Sequence, residues 1–272
     1  MNAKTISVSY SGSIPETYDK YLGTLLLEPF AKSMAAKVAG LKPQRVLELA
    51  CGTGIATRHL ADVLPDSAMI IASDVNPAML DYAKRSVPNA DGISWEIADA
   101  HRLPYPDGVF DAVVSQFGVM FFQDRPRAFA EAYRVLKPGG TFLFNTWDDF
   151  GYNPAVSTTQ ELLDQIFGLD APGFYRIPFG YHSENRIAMD LISGGFTDFR
   201  LHTERKKGYS ATARSAARGL LEGTPVLAAF QFMSPLIVQG LRGELGLRLA
   251  RQFGREHLEP PIQAKFAAAV KA

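Results

Sequence analysis

Short apolar runs alternate with segments of helical spacing through the first half of this 272-residue chain. A short apolar run is typical of a buried strand, and apolar residues spaced by three and four are typical of one helix face. The apolar runs cover residues 45–50, 68–73, 93–98, 111–116 and 141–146, and the helical spacing covers residues 55–64, 77–86 and 125–136. This order favours a doubly wound α/β core of the Rossmann type, in which helices cover both faces of a parallel sheet.

The regions on either side of this core have their own patterns. Residues 16–38 have helical spacing with Pro29 as the expected break, so one or two N-terminal helices precede the first strand. Beyond the core we expect helices over 155–167 and 183–193, a strand over 197–203, and helices within 211–253 that are interrupted at 223–225 and 234–235. Apolar residues alternate from Ile262 to Val270, which favours a closing strand, although the alanines there also suit a helix.

Composition and charge indicate what kind of protein this is and what kind of partner it binds. Apolar residues make up 47% of the chain and charged residues 21%, as in water-soluble globular proteins. The 28 Lys and Arg residues balance the 28 Asp and Glu residues, so we expect a small-molecule partner and no nucleic acid. The sequence has no signal-peptide pattern and no apolar run of about 18 residues, so we expect a cytoplasmic protein without membrane insertion.

Residue types that bind metals or form disulfides are sparse. Cys51 is the single cysteine, which excludes an internal disulfide and a multi-cysteine zinc site. No cluster of His with Asp or Glu has the spacing of metal ligands, so we predict no metal. Cys51 is expected to fill space in its loop and not to act as a nucleophile.

A glycine-rich turn joins the first predicted strand to the following helix. Gly52 and Gly54 allow the backbone to approach a ligand closely, and the helix N-terminus presents unpaired N–H groups to an anionic group. Asp74 follows Gly54 by 20 residues, at the end of the next strand, where a carboxylate can accept hydrogen bonds from a ribose diol. This pair of features is shared by several nucleotide-binding classes, including nicotinamide enzymes.

Four motifs in order carry a resemblance to one family. The segment from Val46 to Gly54 resembles the cofactor signature of class I S-adenosylmethionine-dependent methyltransferases, in the small-molecule, UbiE-like branch. The other three motifs follow in the same order along the chain as in the family: Asp99 and Ala100, residues 115–117, and residues 136–140. The last of these is expected to end a helix before the strand at 141. The resemblance implies a mainly parallel seven-stranded sheet with a helical cap, S-adenosylmethionine as cofactor and S-adenosylhomocysteine as product.

The family's cofactor contacts can be carried over to matching positions. They imply that Glu48, Ala50, Gly52 and Gly54 hold the methionine end, Asp74 the ribose, Val75 and Met79 the adenine faces, Asp99 and Ala100 the adenine edge, and Gln116 and Phe117 the methionine side. The family commonly has glycine where this chain has Ala50. On the N-terminal helix, Tyr18 and Tyr21 either close over the cofactor or pack in the core.

The resemblance also divides the chain into three parts. Residues 1–40 would close the cofactor site, residues 41–150 would form the cofactor-binding core, and residues 151–272 would supply the substrate-side insertion, the cap and the last strands. Several aromatic or sulfur side chains of the third part are candidates for a lid over an apolar substrate: Phe174, Tyr175, Phe179, Tyr181, Phe230, Phe232 and Met233.

The implied function is direct in-line methyl transfer to a small, partly apolar molecule. The sulfonium already activates its methyl group, so alignment of the acceptor is the main requirement and no base is needed. His101 and His182 are candidates for a base, or else have packing or surface roles. Two alternatives stay open, a non-catalytic S-adenosylmethionine-binding module and an NAD-dependent dehydrogenase, and the sequence also leaves a homo-oligomer open.

Overall fold

The computed structural model describes residues 12–87 and 92–272, so the first eleven residues of the predicted N-terminal part lie outside the described residues. The strands are β1 (Arg45–Leu49), β2 (Met69–Asp74), β3 (Ile93–Ile97), β4 (Phe110–Gln116), β5 (Leu136–Trp147), β6 (Asp198–Lys207), β7 (Ser210–Thr212), β8 (Glu256–Leu258) and β9 (Pro261–Val270). Seven of them form one sheet in the order β3-β2-β1-β4-β5-β9-β6. In this sheet only β9 runs in the direction opposite to the other six strands, which confirms the predicted mainly parallel sheet.

The helices cover both faces of this sheet. They are α1 (Ile14–Thr17), a π-helix (Tyr18–Leu27), α2 (Glu28–Gly40), α3 (Ile55–Val63), α4 (Pro77–Ser86), α5 (Arg125–Val135), α6 (Pro154–Phe167), α7 (Glu184–Ser193), α8 (Ala213–Glu222) and α9 (Pro235–Phe253). Consecutive residues of β1, Val46 and Leu47, lie in separate buried clusters, as do Ile70 and Ile71 of β2. Burial on both faces explains why these strands are continuous apolar runs in the sequence.

The N-terminal helical region is wound differently from the prediction. It continues without a gap from residue 14 to residue 40, and Pro29 is the second residue of α2 and not a break. Proline is tolerated there because the first N–H groups of a helix have no partner within the helix. The π-helix between α1 and α2 was not predicted, since residues from Tyr18 onward keep an apolar stripe that α-helical spacing also fits.

The end of the chain forms the predicted strand. β9 lies between β5 and β6, and pairs Phe266 with Asn145 on one side and with His202 on the other. This position buries the alternating apolar side chains, which outweighs the helix propensity of the alanines.

Several boundaries differ from the predictions, including the end of β6 at Lys207 and the starts of β5 and α8. β5 begins at Leu136, five residues before the predicted start, because Leu136 pairs with Phe110 ahead of a register shift. Thr212 caps α8, so helix starts at Ala213, and the residues just before it pair with β8 in a small two-stranded sheet that was not predicted. Among residues 12–87 and 92–272, no helix combines the length and apolar content needed to span a membrane.

Candidate active site

A cleft of about 1720 Å³ lies at the carboxyl ends of β1, β2 and β4 and is open to solvent. This is the edge at which doubly wound sheets bind nucleotides and related ligands. All of the residues predicted to contact a cofactor line the cleft except Tyr21 and Gly54. The motif residues therefore meet at one site, although they are spread over residues 18–117 of the chain.

The turn after β1 has an unusual backbone. Ala50, Gly52 and Gly54 have φ angles of 54°, 57° and 81°, in the left-handed region that favours glycine. The conformation of Ala50 explains why glycine is common at this position of the family. A Cβ on Gly54 would come within 2.9 Å of Val87 Cγ2, so Gly54 lets the turn pack against the chain beyond α4 and does not itself face the cleft.

Asp74, the last residue of β2, organises this turn. Its Oδ2 accepts a hydrogen bond from the Gly52 N–H at 2.8 Å, and its Oδ1 accepts one from the Asn76 N–H at 2.8 Å. Burial raises the pKa of Asp74, while these backbone hydrogen bonds act in the opposite direction. Each carboxylate oxygen has a second lone pair, so Asp74 can still accept from a ligand diol.

Glu48 in β1 is the second carboxyl group of the cleft. It is 1% exposed, and Thr57 Oγ1 of α3 donates a 2.6 Å hydrogen bond to its Oε2. Burial raises the pKa of Glu48 to about 8, and the negative charge of Asp74 adds to the effect. A cationic group bound beside Glu48 would favour its charged form, which suits the ammonium of an amino-acid ligand.

Asp99 and His101 form a pair at the other end of the cleft. Asp99 Oδ1 accepts hydrogen bonds from the His101 N–H at 2.9 Å and from His101 Nδ1 at 2.6 Å, and the backbone contact contributes most to the lowered pKa of Asp99. His101 Nε2 accepts from the Asp124 N–H at 3.2 Å. Both ring nitrogens of His101 therefore have hydrogen-bond partners, in the neutral tautomer that this network assigns. This arrangement favours a role of His101 in positioning Asp99 over a role as a base.

Of the remaining tyrosine and histidine candidates, only Tyr18 lines the cleft. Tyr18 lines the cleft, and burial raises its pKa. Tyr21 lies outside it, where Arg218 donates a 3.2 Å hydrogen bond to its hydroxyl. His182 also lies outside it, with Nδ1 2.9 Å from the Phe179 carbonyl and Nε2 3.9 Å from Asp149 Oδ2.

Gln116 and Phe117 line the cleft at the carboxyl end of β4. Gln116 Nε2 donates to the Leu27 carbonyl at 3.1 Å, whereas its Oε1 is buried and has no hydrogen-bond partner within the described part of the chain. Phe117 has a φ of 52°, and its N–H donates to Asn145 Oδ1 at 2.9 Å. This backbone conformation turns the Phe117 ring onto Trp147, with ring centroids 3.9 Å apart.

A second, smaller cavity, of about 420 Å³ when space open to solvent is included, adjoins the cleft at Phe117, and we call it the chamber. Its lining consists of Tyr18, Leu22, Leu26, Leu27, Phe117, Met120, Phe121, Trp147, Phe174, Tyr175, Pro178, Phe179 and Thr224. Tyr18, Leu27, Phe117 and Phe121 also line the cleft, so the two cavities share a wall.

The predicted lid residues divide between the chamber and the rest of the cap. Phe174, Tyr175 and Phe179 line the chamber. The other four lie outside it: Tyr181 donates to Asp190 Oδ2, Phe230 is buried beside Phe167, Phe232 is 91% exposed, and Met233 packs at the core surface.

Several residues of the site were not found from the sequence. Trp147 is the last residue of β5, so the strand-end rule that located Asp74 could also have located it. Leu22, Leu26 and Leu27 belong to the π-helix, whose winding has no clear sequence signal. Thr53 of the glycine turn also lines the cleft, and its buried Oγ1 has no partner among the described residues.

Comparisons with known sequences agree with this geometry. The family model described as a methyltransferase domain matches residues 47–144. A demethylmenaquinone methyltransferase of Deinococcus radiodurans is 42% identical over 110 residues, which are 40% of this chain and 45% of that protein. A ubiquinone/menaquinone biosynthesis C-methyltransferase of Pectobacterium carotovorum is 39% identical over 103 residues, 37% of this chain and 41% of that protein. The matched part spans less than half the length of either relative.

Solved structures extend the likeness to almost the whole fold. Phosphoethanolamine N-methyltransferase 2 of Haemonchus contortus, solved with S-adenosyl-L-methionine, has a TM-score of 0.60 at 19% identity, over 96% of this chain and 57% of that chain. A SAM-dependent methyltransferase of Thermotoga maritima has a TM-score of 0.54 at 17% identity, over 95% of this chain and 98% of that chain. At these identities the likeness is one of fold alone.

The family model assigns residues 47–144 to a methyltransferase domain. The fold around this domain is shared with solved S-adenosylmethionine-dependent methyltransferases. The residues beyond this domain, which include most of the chamber's cap side, are related to the solved structures by fold and not by close sequence likeness.

Proposed function

We propose that this protein binds S-adenosylmethionine in the cleft and transfers its methyl group to a small, partly apolar molecule. The observation that carries the proposal is the wall shared by the two cavities, formed by Tyr18, Leu27, Phe117 and Phe121. A cofactor in the cleft and an acceptor in the chamber would meet across this wall, and S-adenosylhomocysteine would remain in the cleft after transfer.

The cleft residues support a division of roles along the cofactor. We assign Glu48 and the glycine turn to the amino-acid end, Asp74 to the ribose, and Asp99 to the adenine amine. Val75 and Met79 also line the cleft, and their apolar side chains suit the adenine faces. The buried Oε1 of Gln116 is an acceptor that a donor group of a ligand would satisfy.

Catalysis in this proposal depends on alignment and exclusion of water. The sulfonium of the bound cofactor supplies an activated methyl group. The aromatic chamber would hold the acceptor beside it, and holding two reactants in line can lower a barrier by roughly 7–11 kcal/mol. His101 positions Asp99 through its Nδ1 contact in this proposal and is not assigned as a base.

The three-part organisation of the chain is part of the same proposal. We assign residues 1–40 to closure of the cofactor site, residues 41–150 to cofactor binding, and residues 151–272 to the acceptor side. Tyr18 and Leu27 from the first part and Phe174 and Thr224 from the third line the chamber together, which supports this division.

Isothermal titration calorimetry with S-adenosylmethionine, S-adenosylhomocysteine and NAD tests the cofactor. We expect the two adenosyl ligands to bind and NAD not to bind. Asp74→Asn keeps the size of the side chain but removes a charged acceptor, so it should weaken adenosyl binding by about 1–3 kcal/mol, or roughly 5- to 150-fold. Asp81→Asn, at an exposed carboxylate on α4, is the matched control and should bind as the wild type does.

The outcomes distinguish the alternatives. Binding of NAD, or of neither adenosyl ligand, would contradict the proposed cofactor. Binding of adenosyl ligands without release of S-adenosylhomocysteine in an acceptor screen would favour the non-catalytic binding module.

A further inference from the structure

One arginine contacts both ends of the π-helix. Arg58, near the start of α3, donates through Nη2 to Asp19 Oδ1 at 3.0 Å and to Glu28 Oε1 at 3.5 Å. Asp19 is the second residue of the π-helix, and Glu28 is the first residue after it. None of the three side chains is more than 22% exposed, so salt screens these ion pairs less than it would at the surface.

Both carboxylates have a further partner on the same side of the helix. Tyr82 of α4 donates to Asp19 Oδ2 at 3.3 Å, and His59 Nε2 of α3 contacts Glu28 Oε2. These contacts use the other oxygen of each carboxylate, so they add to the contacts of Arg58 and do not compete with them.

The contacts of Arg58 depend on the winding of the helix. Asp19 and Glu28 are nine residues apart, which is two and a half turns of an α-helix but only about two turns of a π-helix. In α winding the two carboxylates would lie on opposite faces, where one guanidinium could not reach both. In π winding they lie on the same face, and Arg58 contacts both.

Backbone hydrogen bonds fit the same winding. The Glu28 N–H donates to the Gly23 carbonyl, five residues earlier, as in a π-helix. Pro29 has no N–H, and the carbonyl five residues before it, that of Thr24, accepts instead from the Tyr209 N–H at 3.0 Å. A donor from outside the helix is therefore supplied where the five-residue pattern lacks one.

The winding also determines which residues reach the cavities. Tyr18 and Leu27 are likewise nine residues apart, and both line the cleft and the chamber. Arg58 itself does not line either cavity, so its influence on the site passes through the π-helix. Segments with π winding are rare and are frequently found at functional sites.

We infer that Arg58 keeps the π-helix in its winding by holding Asp19 and Glu28 on one face. The winding in turn places Tyr18 and Leu27 at the cofactor cleft, so Arg58 is a positioning residue of the site. The step from winding to cofactor binding rests on the proposed methyltransferase function, whereas the effect of Arg58 on the winding does not.

Amide hydrogen exchange of the ligand-free protein and calorimetry with S-adenosylhomocysteine test the two steps separately. Arg58→Met keeps an apolar stem and removes the guanidinium. It should speed exchange over residues 18–28 by about tenfold or more. It should also weaken S-adenosylhomocysteine binding about 5- to 10-fold, because apparent affinity falls with the populated fraction of the competent winding. Arg85→Met, at an exposed arginine on α4, is the matched control and should follow the wild type in both measurements.

Three further variants separate the charge of Arg58 from its packing. Arg58→Lys keeps a positive charge beside both carboxylates, so its S-adenosylhomocysteine affinity should stay within about threefold of the wild type. Asp19→Asn and Glu28→Gln should each speed exchange along the whole segment and not only at their own end. Added to Arg58→Met, either change should alter the affinity by less than about twofold, because the three residues act as one unit.

Wild-type exchange over residues 18–28 in Arg58→Met would overturn the inference, as would an Arg58→Lys variant as weak as Arg58→Met. Faster exchange with unchanged S-adenosylhomocysteine affinity would overturn the positioning role at the cleft. A wild type that does not bind S-adenosylhomocysteine would overturn the proposed function, while the exchange measurements would still decide the winding. Where Arg58→Met fails to fold, Asp19→Asn and Glu28→Gln decide the same question.

Discussion

At the residue scale, two carboxyl groups on neighbouring strands face one cleft in different environments. Asp74 accepts backbone N–H groups from Gly52 and Asn76, which stabilise its charged form against the cost of burial. Glu48 accepts a hydroxyl hydrogen bond from Thr57 and is almost fully buried, so the pKa of Glu48 rises to about 8. Without a cationic ligand beside it, Glu48 is mostly protonated at neutral pH.

The raised pKa of Glu48 predicts a pH dependence of stability. The folded state keeps a proton that the unfolded carboxyl, with a pKa near 4.5, loses, so stability falls as pH rises from about 4.5 to about 8. This difference in pKa corresponds to roughly 5 kcal/mol in full. Glu48→Gln still accepts from Thr57 but does not titrate. Between pH 5 and pH 8, its free energy of unfolding should fall by roughly 3–4 kcal/mol less than that of the wild type.

Urea denaturation of the ligand-free protein at pH 5 and pH 8 measures this difference. Glu161→Gln, at an exposed glutamate on α6, serves as the control and should follow the wild type. Parallel pH dependence in the wild type and Glu48→Gln would show that Glu48 keeps an ordinary pKa in the folded protein.

Residues at strand ends could be predicted from the sequence because the carboxyl ends of parallel strands meet at one sheet edge. This rule, together with the family motifs, predicted Asp74, Asp99 and Gln116, and all three line the cleft. It could not distinguish Tyr18 from Tyr21. The three-residue step from Tyr18 to Tyr21 covers five sixths of a turn in an α-helix but only about two thirds of a turn in a π-helix. The two side chains therefore point further apart than they would in an α-helix.

At the element scale, the π-helix explains how the N-terminal region reaches both cavities. The nine-residue step from Tyr18 to Leu27 makes two and a half α turns, which would place these side chains on opposite faces. The same step makes about two π turns, which returns them to one face. Both residues line the cleft and the chamber. The helical stripe was visible in the sequence, but its winding depends on tertiary packing.

Alanine should have opposite effects at a glycine of the turn between β1 and α3 and at a glycine within α9. Gly54→Ala should destabilise the protein by about 2–3 kcal/mol, because alanine at a φ of 81° is strained and its Cβ would lie 2.9 Å from Val87. Gly243→Ala in α9 meets nothing within 4 Å and should stabilise by about 0.5–1 kcal/mol through helix propensity. Chemical denaturation of both variants measures these changes, and equal stabilities would contradict the account of the turn.

At the scale of the whole molecule, the site is assembled from parts of the chain that are far apart in sequence. The methyltransferase domain supplies most of the cleft, to which the N-terminal π-helix adds Tyr18 and Leu27. The π-helix and the cap beyond α6 complete the chamber. The order of the core elements could be predicted from the alternating pattern and the motifs. The chamber could not, because Tyr18, Phe117 and Phe174 line it together only through the way three separate segments pack.

The shared wall predicts that the two ligands bind cooperatively. A ligand in the cleft would contact Tyr18, Leu27 and Phe117, which also line the chamber. Ordering of these residues by the first ligand would complete one side of the chamber before the second ligand arrives. 2-Naphthol serves here as a small apolar probe of the chamber. S-adenosylhomocysteine should raise the affinity for 2-naphthol about fivefold, and 2-naphthol should raise the affinity for S-adenosylhomocysteine by the same factor. Calorimetric titrations with either ligand added first measure the two factors.

Two variants locate the coupling between the ligands. Tyr18→Leu should reduce the increase in affinity toward a factor of one, and Phe230→Leu, outside both cavities, should retain the wild-type increase. Independent binding in the wild type would mean that the wall is already rigid without ligand, so that neither ligand prepares the site for the other.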